Sequence, residues 1–337
     1  MTAPAARLQT SLPLIGGKRL MLFGGRAHPT LAAQIGRELG VALAPVTLKT
    51  FSNGEVYCRF GESVRGADVF LVQPMCGNAE TGVTANDALM ELLLLIDAAV
   101  GASAHRVIAV TPWFGYSRQD KKSEPREPIS ARLVARMLES AGADRVLAMD
   151  LHAGQVQGFF QRPVDHMTAM MLLSEYFNGL DGDVVVVAPD AGRVKLNKKF
   201  ADRMHADLAI LDKDRPRQQV AEIDHIIGDV RGKTAVIVDD IIDTAGTLRA
   251  AGEAVQRAGA ARVLAAATHA ILSGAAFENL AAAPFEKIIV TDTIPLRSGA
   301  PDNIHVISCA ELLADSIRRI FTNDSVSEVF DGQNQIF

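Results

Sequence analysis

Short aliphatic runs alternate with longer segments of helical periodicity along almost the whole chain. Strands are predicted where β-branched and other apolar residues run together, at 19–23, 68–73, 106–110, 146–149, 184–188, 208–211, 234–238, 263–267, 287–290 and 304–307. Helices are predicted where apolar residues recur every three or four positions, at 29–39, 86–99, 129–141, 168–177, 194–205, 247–258, 274–280 and 309–321. This alternation predicts an α/β fold with mostly parallel sheets flanked by helices.

An internal repeat predicts two similar domains. The segment Ala-Gly-Ala-Asp-Arg-Val-Leu-Ala at 141–148 is followed by His152, and Ala-Gly-Ala-Ala-Arg-Val-Leu-Ala at 258–265 is followed at the same offset by His269. Each copy is typical of a helix end, a glycine cap, a strand and a strand-end histidine. We therefore predict domains at 18–167 and 168–310, with a C-terminal helix and tail at 311–337 that packs back on them.

Composition limits the classes of partner. The 337 residues are 48% hydrophobic and carry a formal charge of -5, so no overall positive field attracts nucleic acid or an anionic membrane. The most apolar stretch, 88–100, contains Glu91 and Asp97 and is too short to span a bilayer. Three scattered cysteines match no metal-binding spacing: Cys58, Cys76 and Cys309. We predict a cytoplasmic protein that binds neither nucleic acid nor membrane.

The chemistry is densest after the predicted strand at 234–238, which ends at the acid pair Asp239 and Asp240. The following loop, before the next helix, contains Asp243, Thr244, Ala245, Gly246 and Thr247. A helix start offers unpaired backbone N–H groups and a positive dipole end, which suit a phosphate. The acids would repel a phosphate, so we expect them to face sugar hydroxyls, a metal ion or both. The alternative is a set of solvated turn residues that cap a helix.

A turn is predicted at Asn53-Gly54, a dipeptide typical of hairpins. Phe51 and Glu55 flank it, and together they would suit stacking on and hydrogen bonding to a purine. The alternative is a turn with a purely structural role.

A second loop, at 111–122, follows a predicted strand and combines aromatic residues with cations. Arg118 can bind a polyphosphate through two hydrogen bonds, whereas Lys121 and Lys122 act as point charges. The alternative is a solvated surface loop.

Two further strand ends carry candidate metal ligands. Asp150 and His152 would share one face if the chain there were extended, and they suit a metal or phosphate contact. Asp190 follows the strand at 184–188 and would suit a hydrated Mg²⁺, since magnesium takes one or two carboxylates plus phosphate oxygens. The alternatives are a structural histidine and a helix N-cap.

Two cations, Lys213 and Arg215, follow the predicted strand at 208–211. In an extended segment they project to the same side, and on a mobile loop they would be placed to close over a transferring phosphoryl group. The alternative is a solvated loop.

Taken together, these segments resemble the ribose-phosphate diphosphokinase, or phosphoribosyl pyrophosphate synthetase, family. The segment 239–247 resembles a motif shared with type I phosphoribosyltransferases, whereas 51–55, 116–122, 150–160 and 212–216 resemble, in the same order, signatures of the synthetase. The resemblance covers about residues 18 to 322. It implies two phosphoribosyltransferase-like domains and transfer of the β,γ-diphosphoryl group of ATP to the C1 hydroxyl of ribose 5-phosphate.

On the ATP side, the resemblance assigns adenine to a loop that a neighbouring subunit contributes in a homohexamer or another multiple of dimers. The residues implied there are Phe51, Asn53 and Glu55. Those implied to bind the rest of ATP are Arg118, Gln119 and Asp120. His152 and Asp190 would serve Mg²⁺, and Lys213 and Arg215 would stabilise the transition state.

On the sugar side, the resemblance implies that Asp239 and Asp240 face ribose hydroxyls and metal, while Asp243 to Thr247 seat the 5-phosphate. The chain departs from the common family pattern at Asn53, Gln161, Ala245 and the segment Ala191-Gly192-Arg193, where paired glycines are usual. At Gln161, some members of the family have an acid.

Two other classes remain as alternatives. A type I phosphoribosyltransferase would share the 239–247 loop but should lack the ATP-side segments around Phe51 and Arg118, and these are present. A non-catalytic regulatory subunit would bind without reacting, and the presence of Lys213 and Arg215 argues against it.

Overall fold

The computed structural model describes residues 17–217 and 220–330; of residues 213–217, 220–224 and 330 it describes only the backbone. The described chain divides into two compact units. The first unit contains the residues up to Met167 together with those from Ala310 onward, and the second unit contains Thr168–Cys309.

The first unit is built on five parallel strands. Its elements up to Met167 are β1 (Arg19–Gly24), α1 (Pro29–Leu39), β2 (Val46–Thr50), β3 (Val56–Phe60), β4 (Ala67–Val72), α2 (Ala85–Gly101), β5 (Arg106–Thr111), α3 (Ser130–Ala141), β6 (Arg145–Met149) and β7 (Val164–Met167). The sheet has the order β1-β4-β5-β6-β7, and all its neighbours are parallel. Strands β2 and β3 form a separate antiparallel hairpin.

The second unit contains a seven-stranded sheet in the order β10-β9-β8-β11-β12-β13-β14. Its elements are α4 (Met170–Phe177), β8 (Val184–Ala188), α5 (Val194–Met204), β9 (Asp207–Arg217), β10 (Val220–Ile227), β11 (Thr234–Ile242), α6 (Gly246–Arg257), β12 (Arg262–Ala270), α7 (Ala276–Ala281), β13 (Lys287–Thr291) and β14 (Ile304–Ile307). Only β10 runs antiparallel to its neighbour among these described strands.

Helix α8 (Ala310–Thr322) follows the second unit in sequence but belongs to the first, where it packs on α1. The guanidinium of Arg318 donates to the carbonyl of Glu38 at the end of α1, at 3.2 Å. The apolar face of α8, which includes Leu313, Ile317 and Phe321, is buried.

The predicted α/β class with mostly parallel sheets is confirmed, and all eight predicted helices are present. Three strands run further than their apolar runs: β9, β11 and β12. Strands β2 and β3 were anticipated only through the predicted turn between them. Strands β7 and β10 were missed because they lie at sheet edges and carry polar residues, so their pattern lacks the continuous apolar run of a central strand. Within the described residues, no helix is both long and apolar enough to cross a membrane.

Candidate active site

The acid pair Asp239 and Asp240 lies in the last part of β11, which continues to Ile242. Asp240 is buried and Asp239 is half-buried. The two residues also share a hydrogen bond, in which the backbone N–H of Asp240 donates to Asp239 Oδ1 at 2.9 Å. Two adjacent carboxylates are thus held at the carboxyl end of a central strand, where parallel sheets bind ligands.

An arginine that the sequence analysis did not select contacts both acids. Arg193 Nε lies 3.4 Å from Asp239 Oδ1, and Arg193 Nη2 lies 2.7 Å from Asp240 Oδ1. Burial and the neighbouring charge of Asp240 raise the pKa of Asp239 well above its ordinary value, and the charge of Arg193 opposes that rise. The guanidinium therefore offsets a concentration of negative charge.

The loop after β11 turns sharply into α6. Ala245 has φ +61°, in the left-handed region, and α6 begins at Gly246. Thr244, Gly246 and Thr247 are exposed, so their polar groups can meet a ligand. The predicted tight turn and open helix start are present. The predicted strand end is corrected, because β11 continues past Val238 to Ile242 and the acid pair therefore lies within the strand.

Two side chains from outside the loop hold it in place. The hydroxyl of Ser273 donates to the carboxylate of Asp243, and the N–H of Ser273 donates to the Asp243 carbonyl at 3.1 Å. Asn279 Nδ2, on α7, donates to the carbonyl of Thr244 at 2.8 Å. The loop is thus fixed before any ligand binds.

The two candidate metal ligands lie in different units. Asp190, in the second unit, is half-buried and precedes the short 3-10 turn Ala191–Arg193 without a side-chain capping bond, so the N-cap alternative is not realised. His152, in the first unit, is also half-buried. Asp150 has φ +36°, so the chain there is not extended, and the condition under which Asp150 and His152 would share one face is not met. The positive φ turns the chain directly after β6.

The predicted hairpin is present. The N–H of Phe51 donates to the Glu55 carbonyl at 2.8 Å, and Gly54 has φ +91°, which suits glycine. The ring of Phe51 is 44% exposed. Lys49 Nζ lies 4.9 Å from the centroids of Phe51 and Tyr57, so the hairpin end presents an aromatic face with a cation beside it.

The three predicted ATP-binding residues in the loop after β5 differ in their exposure to solvent. Arg118 and Gln119 are exposed, and the Gln119 side chain accepts a hydrogen bond from the Ser130 hydroxyl at 2.6 Å. Asp120 is only 7% exposed, and its carboxylate accepts a hydrogen bond from the Gln155 amide. The first two side chains are therefore accessible to a ligand, whereas Asp120 faces the protein.

The cations Lys213 and Arg215 lie in a described strand, but their side chains lie outside the described part of the chain. Their backbone belongs to β9, which pairs with β10 through Lys213 and Ile223. The prediction of a loop there is corrected: ladder hydrogen bonds with β10 extend the strand beyond its apolar run.

A buried network near the hairpin was also missed. Glu91, on α2, is fully buried and accepts from Arg26 Nε at 2.6 Å and from Gln73 Nε2 at 2.8 Å. Arg26 also donates to the hydroxyl of Thr50, at the end of β2, at 3.0 Å. Glu91 within an apolar helix was the available signal, because a buried carboxylate needs a cationic partner.

Comparison with known proteins covers nearly the whole chain. A model of the N-terminal domain of ribose phosphate pyrophosphokinase matches residues 20–142, and a phosphoribosyl synthetase-associated domain matches residues 218–331. A relative from Caldanaerobacter subterraneus subsp. tengcongensis, named ribose-phosphate pyrophosphokinase, is 49% identical over 92% of this chain and 98% of its own. A relative of the same name from Clostridium acetobutylicum is 45% identical over 93% of this chain and 98% of its own.

A solved structure agrees with these matches. The phosphoribosylpyrophosphate synthetase from Mycobacterium smegmatis superposes with a TM-score of 0.83 and is 45% identical. The match covers 90% of this chain and 99% of that one.

Proposed function

The chain belongs to the ribose-phosphate pyrophosphokinase family, and on that premise we propose that it transfers the β,γ-diphosphoryl group of ATP to the C1 hydroxyl of ribose 5-phosphate. The products are 5-phosphoribosyl 1-diphosphate, a precursor for nucleotide biosynthesis, and AMP. The observation that carries the proposal is the 49% identity to a relative of that name over 92% of the chain.

The sugar side of the proposal uses the end of β11. Asp239 and Asp240 accept hydrogen bonds from ribose hydroxyls, for which carboxylates are suited. The exposed Thr244, Gly246 and Thr247 at the start of α6 seat the 5-phosphate with Asp243 and Ala245, since backbone N–H groups and the helix dipole favour an anion there. The contacts from Ser273 and Asn279 support this proposal because they keep the loop rigid.

The ATP side uses the hairpin and the loop after β5. The exposed ring of Phe51 stacks on adenine, with Asn53 and Glu55 as its hydrogen-bonding neighbours. Arg118 and Gln119 contact the phosphates or ribose of ATP from an exposed loop. Asp120 does not contact ATP directly in this proposal, since its carboxylate accepts a hydrogen bond from Gln155 and is nearly buried.

Phosphoryl-type transfer needs positioning and charge neutralisation more than covalent chemistry. We assign the stabilisation of negative charge in the transition state to Lys213 and Arg215. We assign the role of metal ligands to Asp190 and His152. The half-buried Asp190 has no capping bond and offers carboxylate oxygens, which fit Mg²⁺. The described residues contain no cluster of three or more His, Cys, Asp or Glu that could hold a metal. When bound, Mg²⁺ would neutralise polyphosphate charge.

The proposal extends to a cytoplasmic location and to assembly as a homohexamer or another multiple of dimers, with the 51–55 loop serving a neighbour's site. The three free cysteines support a reducing compartment. The exposed ring of Phe51 at the hairpin end does not pack in the core of its own subunit, which supports a contact with a neighbouring subunit.

The test is a direct assay. Purified protein mixed with ATP, ribose 5-phosphate and Mg²⁺ should form AMP and the diphosphorylated sugar in equal amounts. Lys213→Ala should lower the rate about 100- to 1,000-fold, because removing one group that stabilises transition-state charge has that effect.

The matched control is Lys198→Gln, which removes an exposed ion pair with Asp202 on α5 and should keep the wild-type rate. Substrate binding without AMP formation by the wild-type protein would instead identify a non-catalytic subunit.

A further inference from the structure

Arg193 has no role in the proposed reaction so far, yet its side chain lies against two proposed sugar-binding residues. Its guanidinium contacts Asp239 Oδ1 at 3.4 Å and Asp240 Oδ1 at 2.7 Å. The three side chains are largely withdrawn from solvent, with exposed fractions of 16%, 25% and 5%. Ion pairs in such settings are screened less than surface pairs and depend more on geometry.

The backbone of Arg193 is anchored separately. Asn197, fully buried on α5, donates from Nδ2 to the Arg193 carbonyl at 3.0 Å and to the Val238 carbonyl at 3.1 Å. Val238 directly precedes the acid pair. One amide therefore ties the start of α5 to the end of β11, and the position of the guanidinium over the carboxylates does not depend on the ion pair alone.

The charge at this strand end would otherwise oppose the substrate. Ribose 5-phosphate carries a phosphate of charge near -2 at neutral pH, and Asp239 and Asp240 are two adjacent acids. Adjacent like charges repel each other and also repel an approaching anion. A cation over both carboxylates reduces that repulsion and restricts the carboxylates to one arrangement.

We propose that Arg193 is a positioning and charge-balancing residue for ribose 5-phosphate, holding Asp239 and Asp240 in the arrangement that accepts the ribose hydroxyls and offsetting their charge. This inference rests on the proposed function. It also gives a physical meaning to the departure at Ala191-Gly192-Arg193, where an arginine follows the single glycine.

The test compares three variants of the full-length protein by steady-state kinetics. Arg193→Gln removes the charge, and Arg193→Lys keeps one charge but loses the fork that spans both acids. Lys198→Gln, on the following helix α5, is the control. Arg193→Gln should raise KM for ribose 5-phosphate about 10-fold or more, since losing about 1.4 kcal/mol of binding is tenfold. KM for ATP should change by less than about threefold, and Arg193→Lys should fall between wild type and Arg193→Gln.

A second readout separates this role from a purely structural one. Without the guanidinium the acid pair attracts cations more strongly, so the Mg²⁺ concentration for half-maximal rate should fall in Arg193→Gln while KM for ribose 5-phosphate rises. A loosened fold would not move these two quantities in opposite directions. Equal losses for both substrates, or a lower kcat with KM for ribose 5-phosphate unchanged, would overturn the inference.

Failure of the proposed function and failure of the inference about Arg193 give different results. If the wild-type protein forms no AMP, the proposed function fails and the inference fails with it. If the wild type is active and Arg193→Gln matches it in KM for ribose 5-phosphate, only the inference fails. If Arg193→Gln does not fold, Arg193→Lys decides: a KM for ribose 5-phosphate raised about threefold or more supports the inference, and a wild-type KM overturns it.

Discussion

At the scale of single residues, Asp68 shows how one buried charge joins distant parts of the first unit. Its carboxylate is fully buried, accepts from Arg106 Nη2, and lies 2.6 Å from His105 Nδ1. Arg106 also donates to Asn323 at 3.0 Å, beyond the end of α8. One carboxylate thus connects β4 and the start of β5 to the C-terminal segment.

The pKa of Asp68 predicts how stability responds to acid. Burial alone would raise this pKa, but the hydrogen bonds and charges of Arg106 and His105 lower it below its usual range. Because the pKa in the folded state is the lower one, the stabilisation is fully present above about pH 4 and is lost as the pH falls through the folded pKa.

Asp68→Asn should therefore lower the free energy of unfolding at pH 7 by about 1–3 kcal/mol, the usual cost of losing a charged hydrogen bond. It should also flatten the fall in stability below about pH 4. Denaturant unfolding at pH 7 and in the acid range measures both effects. Asp202→Asn, in an exposed ion pair, is the control and should show the wild-type dependence of unfolding free energy on pH. If the unfolding free energy of Asp68→Asn fell with acid as steeply as that of the wild type, the assignment would be contradicted.

At the scale of elements, the loop between β11 and α6 depends on a neighbouring helix. Asn279 on α7 holds the Thr244 carbonyl, and the next residue, Ala245, has φ +61°. A non-glycine residue in this region costs about 1–2 kcal/mol, so surrounding contacts must maintain the conformation. The α7 helix is thus part of the support of the proposed phosphate site.

Asn279→Ala should loosen this loop and raise KM for ribose 5-phosphate about 2- to 12-fold, as expected for the loss of one hydrogen bond of about 0.5–1.5 kcal/mol. KM for ATP should stay near its wild-type value. Steady-state kinetics with each substrate varied in turn tests this, with the exposed neighbour Glu278→Ala as control. Unchanged ribose 5-phosphate kinetics would show that the loop does not need Asn279.

At the scale of the whole molecule, the chain returns to its first unit after completing the second. Helix α8 packs on α1, and Ile317 on its buried face is fully excluded from solvent. Ser316 on the same helix contacts Met167 Sδ at 3.7 Å, the last residue of the first unit before the second begins. The first unit is therefore complete only when the C-terminal helix has been made.

Ile317→Ala should lower the free energy of unfolding of the first unit by about 2–5 kcal/mol, the usual cost of truncating a buried isoleucine. Glu311→Ala, at an exposed position of α8, should change it by less than about 0.5 kcal/mol. Hydrogen exchange resolved by segment measures the effect, which should concentrate in residues 17–167 and 310–330. Equal loss of protection in the second unit would contradict the assignment of α8 to the first.

Local pattern was sufficient for the elements and for much of the site. Strands β8 and β14 and helix α1 were predicted with the bounds that the structure has. The hairpin turn at Asn53-Gly54 and the turn into α6 followed from residue types at short spacing. Periodicity and turn chemistry act over a few residues, so a sequence displays them directly.

The contacts that organise the acid pair and its loop were decided only by the tertiary structure. Arg193 meets Asp240, Asn279 meets Thr244, and Glu91 meets Arg26, and each pair is separated by tens of residues in the chain. Which side chains meet across such separations depends on sheet order: β8 lies beside β11, so the start of α5 is brought to the end of β11. The sequence alone determined where the acids and the proposed phosphate-binding loop lie in the chain. Strand order determined that a cation covers the acids, because side chains reach only a few ångströms and strand neighbours decide what lies within that reach.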